Sequence, residues 1–127
     1  MQNLLLVAIG GAAGACSRYL FIEMIFFLHR ASSFPIGTIL VNIIGSFLMG
    51  IICFFVDNYS NILSPQIKLL LVTGFLGGFT TFSAFSIDTF RLINSGQIML
   101  ALLYIISSTA FSILAIFFGF YLSKMLF

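Results

Sequence analysis

Tryptophan is absent from this chain of 127 residues, and charge is nearly so. Asp, Glu, Lys and Arg together make up 6% of it, against about a quarter in a soluble domain. That deficit excludes a soluble fold. Three acidic residues, one His and two Cys also exclude most enzyme constellations, because a nucleophile, an acid–base partner and an orienting group cannot be assembled from so few. Cys16 and Cys53 both fall inside apolar runs, where a packed thiol is expected rather than a disulfide or a metal site; they leave the redox compartment open. No Lys or Arg precedes the first apolar run, which continues well past Cys16. Ala13-Gly14-Ala15-Cys16 is therefore read neither as a signal-peptide cleavage site nor as a lipidation site.

What the chain has in quantity is apolar length: 61% hydrophobic residues, 17 Phe and a mean hydropathy of +1.24. A helix of about 20 apolar residues crosses a bilayer. Polar punctuation divides the sequence into four such stretches, residues 3–28, 36–56, 65–94 and 97–126. The expected fold is an all-α membrane protein, a single domain of four transmembrane helices whose short connections leave no room for a soluble catalytic unit. Pro35 stands where a helix can begin, Ser64-Pro65 reads as an N-cap with proline at the first helical position, and Asn94-Ser95-Gly96 makes the last turn. Charge does not fix the orientation. If the spans alternate, Lys68 and Lys124 fall on one side and Arg30 and Arg91 on the other, so no positive-inside bias exists. Either the chain inserts both ways round, which allows an antiparallel dual-topology homodimer, or the α-amino group or Arg18 sets one orientation.

The third span is interrupted. From Gly74 to Ser86 it reads Gly-Phe-Leu-Gly-Gly-Phe-Thr-Thr-Phe-Ser-Ala-Phe-Ser, a poor continuous helix between flanks that are helical in pattern. One crossing made of two half-helices meeting at Gly77 to Thr80 is expected. The first half would end in unpaired carbonyls and the negative end of its dipole, a place that can hold a cation. Irregular backbone at membrane depth survives where it is buried in protein or lines a polar cavity. The other use of such glycines is a kink that lets helices pack closely.

Polar residues recur at intervals of four in the other spans. Gly10, Gly14 and Arg18 share one face of the first; the glycine pair is a helix-packing device, and Arg18, costly in lipid, must face protein or water. It either makes a dimer contact or attracts anions at an aqueous vestibule. Thr38, Asn42 and Ser46 form a stripe on the second span, and Tyr104, Ser108 and Ser112 one on the fourth. Asn42 is either an amide donor in a path or an interhelical clamp. Phe82 and Phe85, three apart beside Thr80, Thr81 and Ser83, place two rings on one helical face, and ring edges carry positive potential. Asp88 and Arg91 would pair nearer the membrane surface, and Glu23 lies late in its span. With amide, hydroxyl and ring-edge groups along the stripes and no carboxylate in mid-membrane, the lining suits a small anion rather than a cation or a proton relay. Four helices hardly enclose a pore alone, so an oligomer is expected.

Three motifs carry a resemblance along the whole chain. They are Gly-Gly-x-x-Gly-x-x-x-Arg-Tyr ending at Tyr19, Gly37-Thr38-x-x-Val-Asn42-x-x-Gly45-Ser46-Phe47, and Gly74-Phe-x-Gly-Gly-x-Thr-Thr-Phe-Ser-x-Phe85-Ser. With these the chain resembles the Fluc (CrcB-type) fluoride channel family. The resemblance implies an antiparallel homodimer in the cell (inner or plasma) membrane, with two pores that pass fluoride passively out of the cytoplasm and relieve its toxicity. It implies pore roles for Asn42, Phe82 and Phe85, a polar track of Tyr104, Ser108 and Ser112, and a structural sodium ion at the dimer axis on the carbonyls of Gly77 and Thr80. Thr38 and Ser83 stand beside these as candidate pore residues. Ala84 departs from the family, which commonly has Thr there, so a hydroxyl near the rings is missing. Two other classes compete. A small four-span drug/proton antiporter would need Glu23 as its intramembrane carboxylate, and a non-transporting membrane subunit would leave the polar stripes unused.

Overall fold

The first helix, α1, spans Gln2–Leu28, and α2 spans Ile36–Asn58. The third crossing is composite. It begins as α3 (Pro65–Lys68), passes into a π-helical segment (Leu69–Leu76), returns to α geometry in α4 (Gly77–Phe79) and resumes after an interruption as α5 (Phe82–Asn94). The last helix, α6, spans Ile98–Leu126. This computed structural model describes residues 1–29, 34–59 and 63–127; Arg30, counted above in the charge balance, lies outside them. Four helical spans, Gln2–Leu28, Ile36–Asn58, Pro65–Asn94 and Ile98–Leu126, are each long and apolar enough to cross a membrane, and among the described residues there is no strand.

The turns form as their residues dictate. Ser64 caps α3, its Oγ accepting from the Ile67 amide at 3.3 Å with Pro65 at the first helical position. At the far end of the third span Gly96 takes φ +77. Its amide bonds to the Ile93 carbonyl and that of Gln97 to the Leu92 carbonyl, both at 2.9 Å. This double closure needs a left-handed residue and so selects glycine.

Glycine also sets the packing. A Cβ at Gly10 would strike the Leu70 carbonyl, one at Gly14 the Phe75 carbonyl, and one at Gly78 the Gly11 carbonyl. The backbones of α1 and of the first half of the third span therefore touch, as the small-residue face of α1 predicts. On the other side Gly50 meets Ile116 and Gly119 meets Phe47, seating α2 on α6. Between them a core of Ile39, Leu92, Ala101 and Tyr104 packs with Phe34, Ile43 and Phe85.

The interruption is real, and it is narrower than expected. Gly77, Gly78 and Phe79 remain helical; only Thr80 (φ −76, ψ 157) and Thr81 (φ −153, ψ 121) are extended. The glycines do not break the helix, since none in this stretch has positive φ. They serve the close approach to α1, and the two threonines make the break. The packing use considered for this stretch is thus present, at Gly74 and Gly78. The π geometry of Leu69–Leu76 was not foreseen from the apolar pattern, which reads as ordinary helix.

Candidate functional site

The break is held by one side chain from another helix. Asn42 on α2 accepts from the Thr81 amide through Oδ1 at 2.8 Å and donates from Nδ2 to the Thr81 carbonyl at 3.1 Å. Thr81 is also the N-cap of α5, its Oγ1 accepting from the Ala84 amide at 3.1 Å and lying 3.2 Å from the Ser83 hydroxyl. In an unbroken helix the Thr81 amide would go to the Gly77 carbonyl. Here it goes to Asn42, and the carbonyls of the last turn, Gly77 to Thr80, lose their helical partners. Arg18 comes in from α1 with Nη1 3.5 Å from the Thr80 oxygen, a cation at the negative end of a half-helix. Asn42 is therefore the interhelical clamp. One of its two amide protons is spent on Thr81, and the other remains for whatever occupies the space beside it.

That space is a cavity of about 370 Å³ between α2, the break and α6. Asn42, Phe82, Phe85, Ser108 and Ser112 all line it, together with Ser46, Thr80 and Thr81. The Phe82 and Phe85 rings lie 5.4 Å apart, and Phe85 stacks its other face on Tyr104 at 5.3 Å. Stacking occupies ring faces and leaves the electropositive edges free. Phe82 is 79% exposed in the protomer.

Two of the cavity hydroxyls differ from most others in the spans, Thr80 and Thr109 of the same cavity among those others. A serine or threonine in a membrane helix commonly bonds back to the carbonyl four residues earlier, as Thr80, Ser86, Thr89, Ser107, Thr109 and Ser123 all do. Ser108 and Ser112 do not, and the Ser112 Oγ is buried without a hydrogen-bond partner among the described residues. An unsatisfied buried hydroxyl costs about 1–3 kcal/mol. Ser112, with Ser108 beside it on the same wall, marks a place where an acceptor is wanted.

Three candidate residues are placed elsewhere. Ser83 is exposed and turned to Thr81. Thr38 and Tyr104 meet on Asp88, donating to Oδ2 at 2.7 and 3.4 Å, while Arg91 Nη1 lies 3.7 Å from Oδ1. Tyr104 is fully buried. Thr38 and Asp88 line a separate opening of about 280 Å³ beside His29 and Pro35, so the contact series Phe85–Tyr104–Asp88–Thr38 connects the two spaces. The sequence reading paired Asp88 with Arg91 and missed it as the shared acceptor. Its spacing of three from Phe85 on α5 was the available signal. Glu23 is exposed on α1 and is not among the residues lining either space, which removes the support an antiporter would need.

Among the described residues no three His, Cys, Asp or Glu side chains gather as a metal site. The donor set at the break is instead backbone oxygen, which fits a hard cation of low charge.

The chain is similar over most of its length to known proteins. Residues 5–120 match the family model described as CrcB-like protein, Camphor Resistance (CrcB). The chain is 46% identical over 120 residues to the fluoride-specific ion channel FluC of Rhizobium meliloti (strain 1021), covering 94% of both chains. It is 45% identical over 127 residues to the protein of the same name from Agrobacterium fabrum, covering all of both. To the fluoride-specific ion channel FluC 3 of Methanosarcina barkeri it is 40% identical over 119 residues, 94% of this chain and 88% of that one.

Proposed function

The chain belongs to the CrcB family, and from that premise we propose that it is a passive, fluoride-selective channel that lets fluoride leave the cytoplasm. One observation carries this reading: a cavity at the broken span walled by an amide, ring edges and hydroxyls that have no partner of their own. Fluoride is small and strongly hydrated, so a path for it must replace water with good donors at several points without trapping it. Hydroxyls, one amide proton and positive ring edges in series meet that need. Among the described residues no carboxylate lines the cavity, so none there repels an anion.

The functional unit is an antiparallel homodimer. Its support is the absence of charge bias, which permits both orientations, and the 79% exposure of Phe82 and the exposure of Gly77 at the break, both of which a second copy would cover. Two breaks meeting at the axis would offer the Gly77 and Thr80 carbonyls to one sodium ion, which when bound neutralises the converging dipole ends. Arg18 stands at the Thr80 carbonyl, holding that end of the half-helix and contributing positive potential to the approach.

The test is fluoride efflux from liposomes containing the purified protein, read with a fluoride electrode beside a chloride control and with valinomycin present to relieve voltage. Rapid fluoride release with negligible chloride release is expected. A folded dimer that releases no fluoride would overturn the reading.

A further inference from the structure

Ser46 has no part in the path as described so far, yet it lines the same cavity. Its position follows from how α2 and α6 meet. The second and fourth crossings run in the same direction and touch where Gly50 meets Ile116. Moving back one turn at a time along both helices pairs Ser46 with Ser112, then Asn42 with Ser108, then Thr38 with Tyr104, the offset between partners being the same at every step. The outermost pair is fixed by a common partner, since both hydroxyls bond to Asp88 Oδ2. The other two pairs line the cavity. The stripes of α2 and α6 therefore face each other in three rungs, and the helices close one turn beyond the third.

The third rung has two further properties. Ser46, like Ser112, makes no bond to the carbonyl four residues before it and none to any other group among the described residues, whereas six other hydroxyls in the spans bond back in this way, Thr80 and Thr109 of this cavity included. Its surroundings are mostly apolar: Met49, Ile113 and Ile116, with Thr109 spent on its own helix, complete this end of the cavity. Two unspent O–H donors in a place with few other polar atoms are poor hosts for bulk water. They are good hosts for one small anion, because a hydrogen bond to a charge gains strength where the dielectric is low.

We infer that Ser46 and Ser112 form an anion site of their own at the inner end of the cavity, taking a largely dehydrated fluoride between two hydroxyls. This rests on the channel reading above. Two donors suffice to hold the ion briefly and are too few to trap it, which is what conduction requires.

The experiment compares reconstituted wild type, Ser46→Ala, Ser46→Thr, Ser112→Ala, the Ser46/Ser112 double alanine and Ser107→Ala, each at equal density after gel filtration. Loss of one donor to an ion slows fluoride efflux by about tenfold, and Ser46→Thr, which keeps the hydroxyl, stays close to wild type. Because the two serines share one ion, the double variant is slowed by less than the product of the two single effects. Ser107→Ala, which removes a back-bonded hydroxyl outside the cavity, is unaffected. Where Ser46→Ala does not elute as folded protein, Ser46→Gly removes the same hydroxyl and is judged by the same criterion. Wild-type efflux in a folded variant lacking the Ser46 hydroxyl overturns the site while leaving the channel intact, as does multiplication of the two single effects in the double variant. A wild-type protein that passes no fluoride overturns the channel reading itself.

Discussion

Asn42 serves two purposes that substitution can separate. Its amide satisfies both backbone groups of Thr81 and still presents one proton to the cavity. Asn42→Asp keeps an acceptor for the Thr81 amide but removes the donor and sets a negative charge beside the anion path. Fluoride efflux is expected to fall to the level of protein-free liposomes, with the protein still folded by gel filtration. The two phenylalanines separate differently. Phe85 packs against the core and stacks on Tyr104, so Phe85→Ala should both abolish flux and lower stability by about 3 kcal/mol. Phe82 is 79% exposed in the protomer. Phe82→Ala should abolish flux with little change in the thermal unfolding of the subunit in detergent. Equal destabilisation by the two would mean that Phe82 is also a packing residue. Both roles were legible in the three-residue spacing of the rings, but the division between buried and exposed was not, because it depends on where α6 lies.

Among elements, the seam between α1 and the third span is decided by backbone contact, and a glycine series tests it. A Cβ at Gly14 would enter the Phe75 carbonyl, whereas one at Gly11 would meet the Gly74 oxygen at an ordinary 3.9 Å. Gly14→Ala should therefore destabilise by about 1–3 kcal/mol through overpacking. Gly11→Ala should be neutral or gain about 0.5–1 kcal/mol from helix propensity. Gly96→Ala meets open space but keeps φ +77, and strain alone should cost about 1–2 kcal/mol. Thermal unfolding in detergent ranks the three. The broken span itself was readable as a crossing of two halves, and its position was read a few residues early. Glycine is permissive and does not compel a break; the threonines break because Asn42, distant in sequence, takes the Thr81 amide.

For the whole molecule, the proposed dimer depends on a balance of charges and on a shared cation. Adding several lysines at the C-terminus should bias every copy to one orientation and abolish fluoride efflux. Co-expression with a variant biased the other way should restore it; undiminished flux from the biased protein alone would remove the antiparallel arrangement. Replacing sodium by a bulky organic cation throughout purification should weaken the dimer on gel filtration, because the carbonyls at Gly77 and Thr80 would then face each other across the axis with no ion between them.

The sequence by itself determined that this is a membrane protein of four helices, because hydropathy and polar punctuation act over a local span and need no partner. It also determined the residue types on offer to an ion, since stripes at intervals of four are a property of a single helix. Tertiary structure decided what those groups do. It spent the Thr38 and Tyr104 hydroxyls on Asp88, left those of Ser46, Ser108 and Ser112 free, and set the two stripes in register through the glycine contacts of α2 and α6. Whether a donor is committed or available depends on its neighbours in space, and periodicity along one helix carries no record of them.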